Sequence, residues 1–324
     1  MPENKEIYIN IKKEIDAAKN ILLITHKNPD GDAAGSMLAL ASFLEKEDKN
    51  FTCLTADPVG DNLVFLPNSL AISQDAGIIK KEKFDLLFVL DSSDLKHTNM
   101  EEEINEIRND IKIINIDHHF TNIKYGDINH VIDDASSTCE VLFYFLDEHR
   151  AVNKTIATCL LTGIMTDTGG FQNSATTPGA INIASTLMNK GVNLQHISKF
   201  ALDAKPVNTL KLWGRALQRL KINNKNKVIS TVITQKDLDE CNATEEAMEG
   251  VANFLNELDQ AQDGVVMVLS EREEGKVKGS LRTTNPLIDV SKLAKILGGG
   301  GHKKAAGFSV DGKLVETENG WQIV

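Results

Sequence analysis

Three apolar runs before residue 120 are each followed closely by an acid or an imidazole. Ile21-Leu22-Leu23-Ile24 gives way to Thr25-His26, Leu86–Leu90 to Asp91, and Ile111–Ile116 to Asp117-His118-His119. The runs have strand length, and helix-forming segments, 33–47 and 99–109, follow the first two. Strands alternating with helices imply a parallel sheet. Parallel strands share a direction, so their carboxyl ends meet along one edge, where open α/β sheets bind ligands. The expected fold class is therefore α/β: an N-terminal parallel sheet with helices on both faces, followed by a smaller C-terminal α+β domain.

The first strand end holds the densest cluster, His26-x3-Asp30-x-Asp32. Taken alone, Pro29-Asp30-Gly31-Asp32 reads equally well as a turn whose acid caps the next helix. The recurrence decides between the two. Asp91, Asp117, His118 and His119 end two further strands, and Asp167 closes an apolar helix over 154–166. Carboxylates gathered with imidazoles call for a cation, and a divalent metal suits that donor set.

The remaining segments are read by periodicity. A helix is expected over 3–19, with Ile7, Ile11 and Ile15 four apart, and a short strand over 51–55. Residues 56–83 show no clear element. Ser136 or Ser137 can cap a helix running to His149. Helices are expected over 177–190 and 193–202. Another over 203–221, with Leu210, Trp213, Leu217 and Leu220 as its apolar face, would bridge two domains. The texture then changes to strands at 228–233, 265–269 and 276–282. Helices are expected over 244–258 and from the Asp289 cap to Leu297. The expected division is a catalytic, metal-binding domain over 1–190, a helical linker over 191–221 and a substrate-binding domain over 222–324.

The net charge of -11 argues against a protein that coats long duplex DNA, which wants a basic surface. A small anionic substrate in a local pocket is compatible with it. The four cysteines, Cys53, Cys139, Cys159 and Cys241, form no zinc pair and no CxxC, so buried free thiols are expected. The start, Met1 to Glu6, is charged, and no apolar run reaches membrane-spanning length. A cytoplasmic protein with no membrane partner is expected, and a homodimer is compatible with these features.

In this order the motifs His26-x3-Asp30-x-Asp32, Asp91, Asp117-His118-His119 and Asp167, followed by Gly298–Gly307, resemble the DHH phosphoesterase family. The glycine-rich stretch is similar to the signature of the DHH-associated C-terminal domain. Over nearly the whole chain the resemblance is to the two-domain group of nanoRNases and 3′-phosphoadenosine-5′-phosphate (pAp) phosphatases. It implies a two-metal site in which His26 and Asp30 hold one ion, Asp32, His118 and Asp167 hold the other, and Asp91 bridges both. It also implies that His119 faces the substrate phosphate and that Asp117 orients an imidazole. Mn²⁺ is the expected metal, with Mg²⁺ and Co²⁺ as alternatives. Two such ions activate water and clamp a phosphoryl group, so no serine or cysteine nucleophile is required.

Gly299, Gly300, Gly301 and His302, with the distant Arg282, are the candidate substrate-binding residues. A glycine run lets backbone N–H groups approach an anion. It is also too flexible for the interior of a helix or strand. The expected activity is hydrolysis of very short oligonucleotides to 5′-mononucleotides and removal of the 3′-phosphate of pAp. The alternative is cleavage of cyclic di-AMP or linear dinucleotides. A nucleotide sensor with a dead site is disfavoured, because every ligand position holds a competent residue.

Overall fold

The structure is a computed structural model that describes residues 5–202, 206–248, 250–272, 275–318 and 320–324. It divides into two compact units, Met1–Ala204 and Lys205–Val324. The first begins with α1 (Lys5–Ala17), β1 (Asn20–Thr25), α2 (Gly31–Lys46) and β2 (Asn50–Leu54). It continues through α3 (Ile78–Lys81), β3 (Leu86–Leu90), α4 (Glu101–Ile107), β4 (Lys112–Asp117) and β5 (Ile128–Val131). Helices α5 (Thr138–Glu148), α6 (Lys154–Asp167), α7 (Pro178–Met188) and α8 (Leu194–Ile197) complete it. The opening helix falls within the expected 3–19 but ends at Ala17, two residues early, and residues 3 and 4 lie outside the described residues. Strand β5 escaped the sequence reading, because Ile128-Asn129-His130-Val131 is too short and too polar to show a period.

The five strands run parallel in the order β2-β1-β3-β4-β5. Alternation divides their side chains between two cores. Ile21, Leu23, Phe88 and Leu90 pack with α2, α5 and α6 on one face. Leu22, Ile24, Leu87 and Val89 pack with Ile79, Met100 and Ile104 of the other face. Helices thus cover both faces, which is why these strands are apolar throughout.

Helix α2 is buried over all of Gly31–Leu44. Its small residues make this possible, since α6 lies directly against it. A Cβ on Gly35 would lie 2.6 Å from the Cys159 carbonyl oxygen. A Cβ on Gly163 would lie 2.4 Å from Cys139 Sγ and 2.6 Å from Asp32 Oδ1. Gly163→Ala is therefore expected to destabilise the protein by about 1–3 kcal/mol, as overpacking does. It should also disturb Asp32. Denaturant melts of the variant check this, and wild-type stability would overturn it.

The second unit contains α9 (Val207–Gln218), β6 (Lys221–Asn223), β7 (Val228–Ile233), α10 (Gln235–Cys241), α11 (Val251–Asn256), β8 (Val265–Arg272) and β9 (Lys276–Arg282). It ends with α12 (Val290–Ile296), β10 (Gly300–Gly301), β11 (Ala305–Asp311), β12 (Leu314–Thr317) and β13 (Gly320–Ile323). Six strands form a mixed sheet, β10-β11-β9-β8-β7-β6, in which only β7 and β8 pair in parallel. Helices α9 to α11 cover the face presenting Val266 and Val268. Helix α12 covers the face presenting Leu281 and Phe308.

Two expectations, on α9 and on the segment 244–258, need correction here. Within the segment 191–221, Ile197 is buried in the first core, and Leu212 and Ala216 of α9 in the second. Residues 203–205 of that segment lie outside the described residues. Helix α9 buries Leu212 and Ala216, one turn apart, whereas Leu210 is 53% and Leu217 40% exposed. The helix expected over 244–258 is broken, with Gly250 in the left-handed region at φ +84° ahead of α11. No helix among the described residues is long and apolar enough to cross a membrane.

Candidate metal centre

Parallel register places the strand ends side by side. Thr25 pairs with Leu90, and Leu90 with Ile116. The next residues, His26, Asp91 and Asp117, therefore stand at one level, His26 and Asp91 just past their strands and Asp117 as the last residue of β4. The chain order switches between β1 and β3, and such a switch point opens a crevice for a ligand. His26 Nε2 lies 3.4 Å from Asp91 Oδ2 across it.

Each group is held by its own local structure. Asp30 caps α2, with Oδ1 accepting from the backbone N–H of Asp32 at 2.9 Å and of Ala33 at 3.0 Å. Asp32, in the first turn of α2, is fully buried against the start of α5. Its Oδ2 accepts from the Thr138 N–H at 2.6 Å and its Oδ1 from the Cys139 N–H at 2.8 Å. That helix start supplies two donors and a favourable dipole to a buried anion. Asp91 stands in the left-handed region at φ +56°, an uncommon conformation for a residue with a side chain. His26 Nδ1 lies 2.7 Å from the Lys27 carbonyl oxygen, so Nδ1 is the protonated nitrogen and Nε2 faces the carboxylates.

His118 Nε2 lies 3.3 Å from Asp167 Oδ2, 3.7 Å from Asp91 Oδ1 and 3.9 Å from Asp32 Oδ2. Three groups of potential ligands result: His26 with Asp30 and Asp91, Asp32 with His118 and Asp167, and Asp91 with His118 and His119. Within each group the ligand atoms lie within 4.8 Å of one another. Asp91 turns Oδ2 toward the first group and Oδ1 toward the histidine pair.

Asp117 is fully buried and takes no place in these groups. Its Oδ1 accepts from His119 Nδ1 at 2.8 Å, and its Oδ2 accepts from Asn122 Nδ2 at 2.6 Å. Asn122 also donates to Asn115 Oδ1 at 2.8 Å, and Asn115 donates to the Val89 carbonyl oxygen at 3.1 Å. A chain of amides thus backs the Asp117–His119 pair. The sequence reading passed over Asn122, four residues beyond His118, and took the hydroxyls at 136–137 only as caps. Ser137 does cap α5, accepting from the Glu140 N–H at 3.0 Å.

The electrostatics expose an excess of negative charge. Burial, reinforced by Asp91 and Asp30, pushes the Asp32 carboxyl well above its usual range. Burial, then Asp32, Asp91 and Asp30, push Asp167 up to about 10. Burial pulls the His26 imidazole down, but Asp30 and Asp91 outweigh it and raise it to about 11. The hydrogen bond to Asp117 raises His119. Burial works against the Asp117 charge, yet His119 and Asn122 hold its carboxyl below the ordinary range. Protons here occupy places that a cation would fill more effectively, and mixed imidazole and carboxylate donors fit a divalent metal.

Arg282 and the glycine run belong to the second unit. Arg282 pairs with Ala305 across β9 and β11, and Ala305 closes a turn with His302, whose N–H donates to its carbonyl at 2.7 Å. Arg282 Nε donates to Asn253 Oδ1 at 2.8 Å. Gly300 and Gly301 form an edge strand on β11, which corrects the expectation that the run stays outside strands. Part of their requirement is steric. A Cβ on Gly299 would lie 2.1 Å from the Gly307 carbonyl oxygen, and one on Gly301 2.6 Å from Ala306 Cα.

Residues 20–164 match the N-terminal domain of the DHH family, and residues 224–319 match the DHHA1 domain. A bifunctional oligoribonuclease and PAP phosphatase NrnA from Thermus thermophilus is 32% identical, covering 90% of this chain and 84% of that protein. A probable bifunctional oligoribonuclease and PAP phosphatase NrnA from Streptococcus mutans is 28% identical over 96% of both chains. The crystal structure of an exopolyphosphatase-related protein from Bacteroides fragilis superposes with a TM-score of 0.84 at 26% identity, covering 94% of this chain and 91% of that one.

Proposed function

Because the chain belongs to the DHH family of phosphoesterases, we propose that it hydrolyses very short oligonucleotides to 5′-mononucleotides and removes the 3′-phosphate of pAp. The observation that supports this most directly is the pair of ligand groups, His26-Asp30-Asp91 and Asp32-His118-Asp167, joined through the two oxygens of Asp91. The names of its relatives support the same substrates.

The pocket holds two divalent cations in this reading, Mn²⁺ by preference. When bound, such ions supply Lewis acidity to the phosphoryl oxygens and a water that is nucleophilic near neutral pH. His119 donates its Nδ1 proton to Asp117 and thereby turns Nε2 toward the substrate phosphate. The hydrogen bond to Asp117 raises the proton affinity of the imidazole, which favours a charged ring facing an anionic phosphoryl oxygen. Asp117 stays ionised and holds the ring in place. The enzyme works in the cytoplasm, a reducing compartment that suits four free, buried cysteines.

Arg282, Gly299, Gly300, Gly301 and His302 recognise the part of the substrate remote from the broken bond. Arg282→Ala and His302→Ala are expected to lose about ten- to hundredfold on a dinucleotide or pAp. That is the worth of one charge-assisted hydrogen bond. Both should spare bis-p-nitrophenyl phosphate, which lacks the remote part. Equal losses on large and small substrates would remove the recognition role. The whole reading is tested by one panel with Mn²⁺: dinucleotides, trinucleotides, pAp and cyclic di-AMP, with products separated by chromatography. No Mn²⁺-dependent release of mononucleotide would overturn it.

A further inference from the structure

We infer that Thr138 is a positioning residue, one that sets the rotation of the Asp91 carboxylate and ties it to Asp32. This deepens the reading that the pocket binds divalent cations, and rests on it. Thr138 is fully buried at the first position of α5. It donates twice, and in two directions. Its backbone N–H donates to Asp32 Oδ2 at 2.6 Å, and its hydroxyl donates to Asp91 Oδ1 at 2.9 Å. One residue thus holds a carboxylate from the β1–α2 segment and another from the end of β3.

The hydroxyl decides which oxygen of Asp91 faces which group. A carboxylate rotates over a broad and roughly twofold well about its last torsion. Oδ1 is fixed by Thr138 and lies 3.7 Å from His118 Nε2 and 3.7 Å from His119 Nδ1. Oδ2 is left for His26 Nε2, 3.4 Å away. Asp91 also sits on a backbone in the left-handed region, where neighbouring structure must hold it. Its N–H donates to the Ile116 carbonyl oxygen at 3.0 Å, which fixes the main chain but leaves the side chain to Thr138. A hydrogen-bond donor behind a ligating carboxylate typically governs metal affinity or activity by about 10–100-fold.

The test compares Thr138→Val with Thr138→Ser in the full chain. Valine keeps the shape and the backbone N–H but removes the hydroxyl; serine restores the hydroxyl and removes the methyl. Mn²⁺ affinity is measured by calorimetry on the metal-free protein, and kcat and KM on bis-p-nitrophenyl phosphate. Thr138→Val is expected to bind Mn²⁺ about 10–100-fold more weakly and to lose a similar factor in kcat with KM unchanged. Thr138→Ser is expected to restore both to near the wild-type values. If the valine variant does not fold, Thr138→Ala takes its place against serine. Wild-type affinity and kcat in the valine variant would overturn the assignment. A serine variant as impaired as valine would do the same, because the methyl would then be what matters. A wild-type protein that binds no Mn²⁺ would instead sink the cation reading itself.

Discussion

Replacing Asp91 by Asn is expected to lower kcat by about 10³-fold on large and small substrates alike, with the fold intact. The scale is that of several kcal/mol of transition-state stabilisation, at about 1.4 kcal/mol per factor of ten. Asp91 belongs to the His26-Asp30 group and to the His118-His119 group, so losing its charge weakens both. The fold has little reason to suffer. Asn tolerates the left-handed region better than most residues, and Asp91 needs it at φ +56°. The amide oxygen of Asn can still accept from the Thr138 hydroxyl. Removing a charge beside Asp32 also relieves one of the repulsions that raise the Asp32 carboxyl. Circular dichroism and melting of the metal-free proteins should therefore match while turnover collapses. Near-normal turnover in Mn²⁺ would refute the shared-carboxylate mechanism.

Stripping the metal is expected to abolish hydrolysis and to make stability fall with rising pH. Asp167 is held up to about 10 and His26 up to about 11, both above their unfolded values. The folded, metal-free protein thus binds more protons than the unfolded chain across the neutral and mildly alkaline range. For His26 the stabilising contribution is fully present below the unfolded imidazole value. It is lost as pH climbs from there through about 11. For Asp167 the loss begins above the ordinary carboxylate range and continues toward about 10. Denaturant melts at pH 7 and pH 9 should show a weaker metal-free protein at the higher pH. Returning Mn²⁺ at about one hundred times its dissociation constant should add about 2.7 kcal/mol. Binding should release protons, since the ligands must give them up. Full activity after thorough chelation, or proton uptake on binding, would contradict the metal centre.

Much of the first unit was legible because it is written locally. An apolar strand that stops at a charge announces both the element and the end at which its charge stands. His26, Asp91 and the Asp117-His118-His119 run could be placed on one sheet edge for that reason. A capping acid in the Asp30-Gly31-Asp32 turn was legible as one of two readings, and Asp30 both caps α2 and lies in a ligand group. Legibility failed where the pattern is short or the partner distant. Strand β5 is held by pairing with β4, and nothing in its four residues requires that pairing. The glycine run showed its flexibility in the sequence, but not the strand β11 that presses against it. Helix α9 has apolar residues on more than one side, and only its packing selected Leu212 and Ala216 as the buried stripe.

By itself the sequence determined which groups stand at element ends, because hydrophobic period and capping chemistry act over a few residues. Only the tertiary structure decided which of those groups meet. The order β2-β1-β3-β4-β5 sets His26 beside Asp91, and no local feature of either strand states who its neighbour is. Likewise, Thr138 lies 106 residues beyond Asp32 and 47 beyond Asp91, yet donates to both. Such contacts arise from burying two faces of one sheet at once. That burial is a condition on the whole chain, and no single segment of it records the outcome.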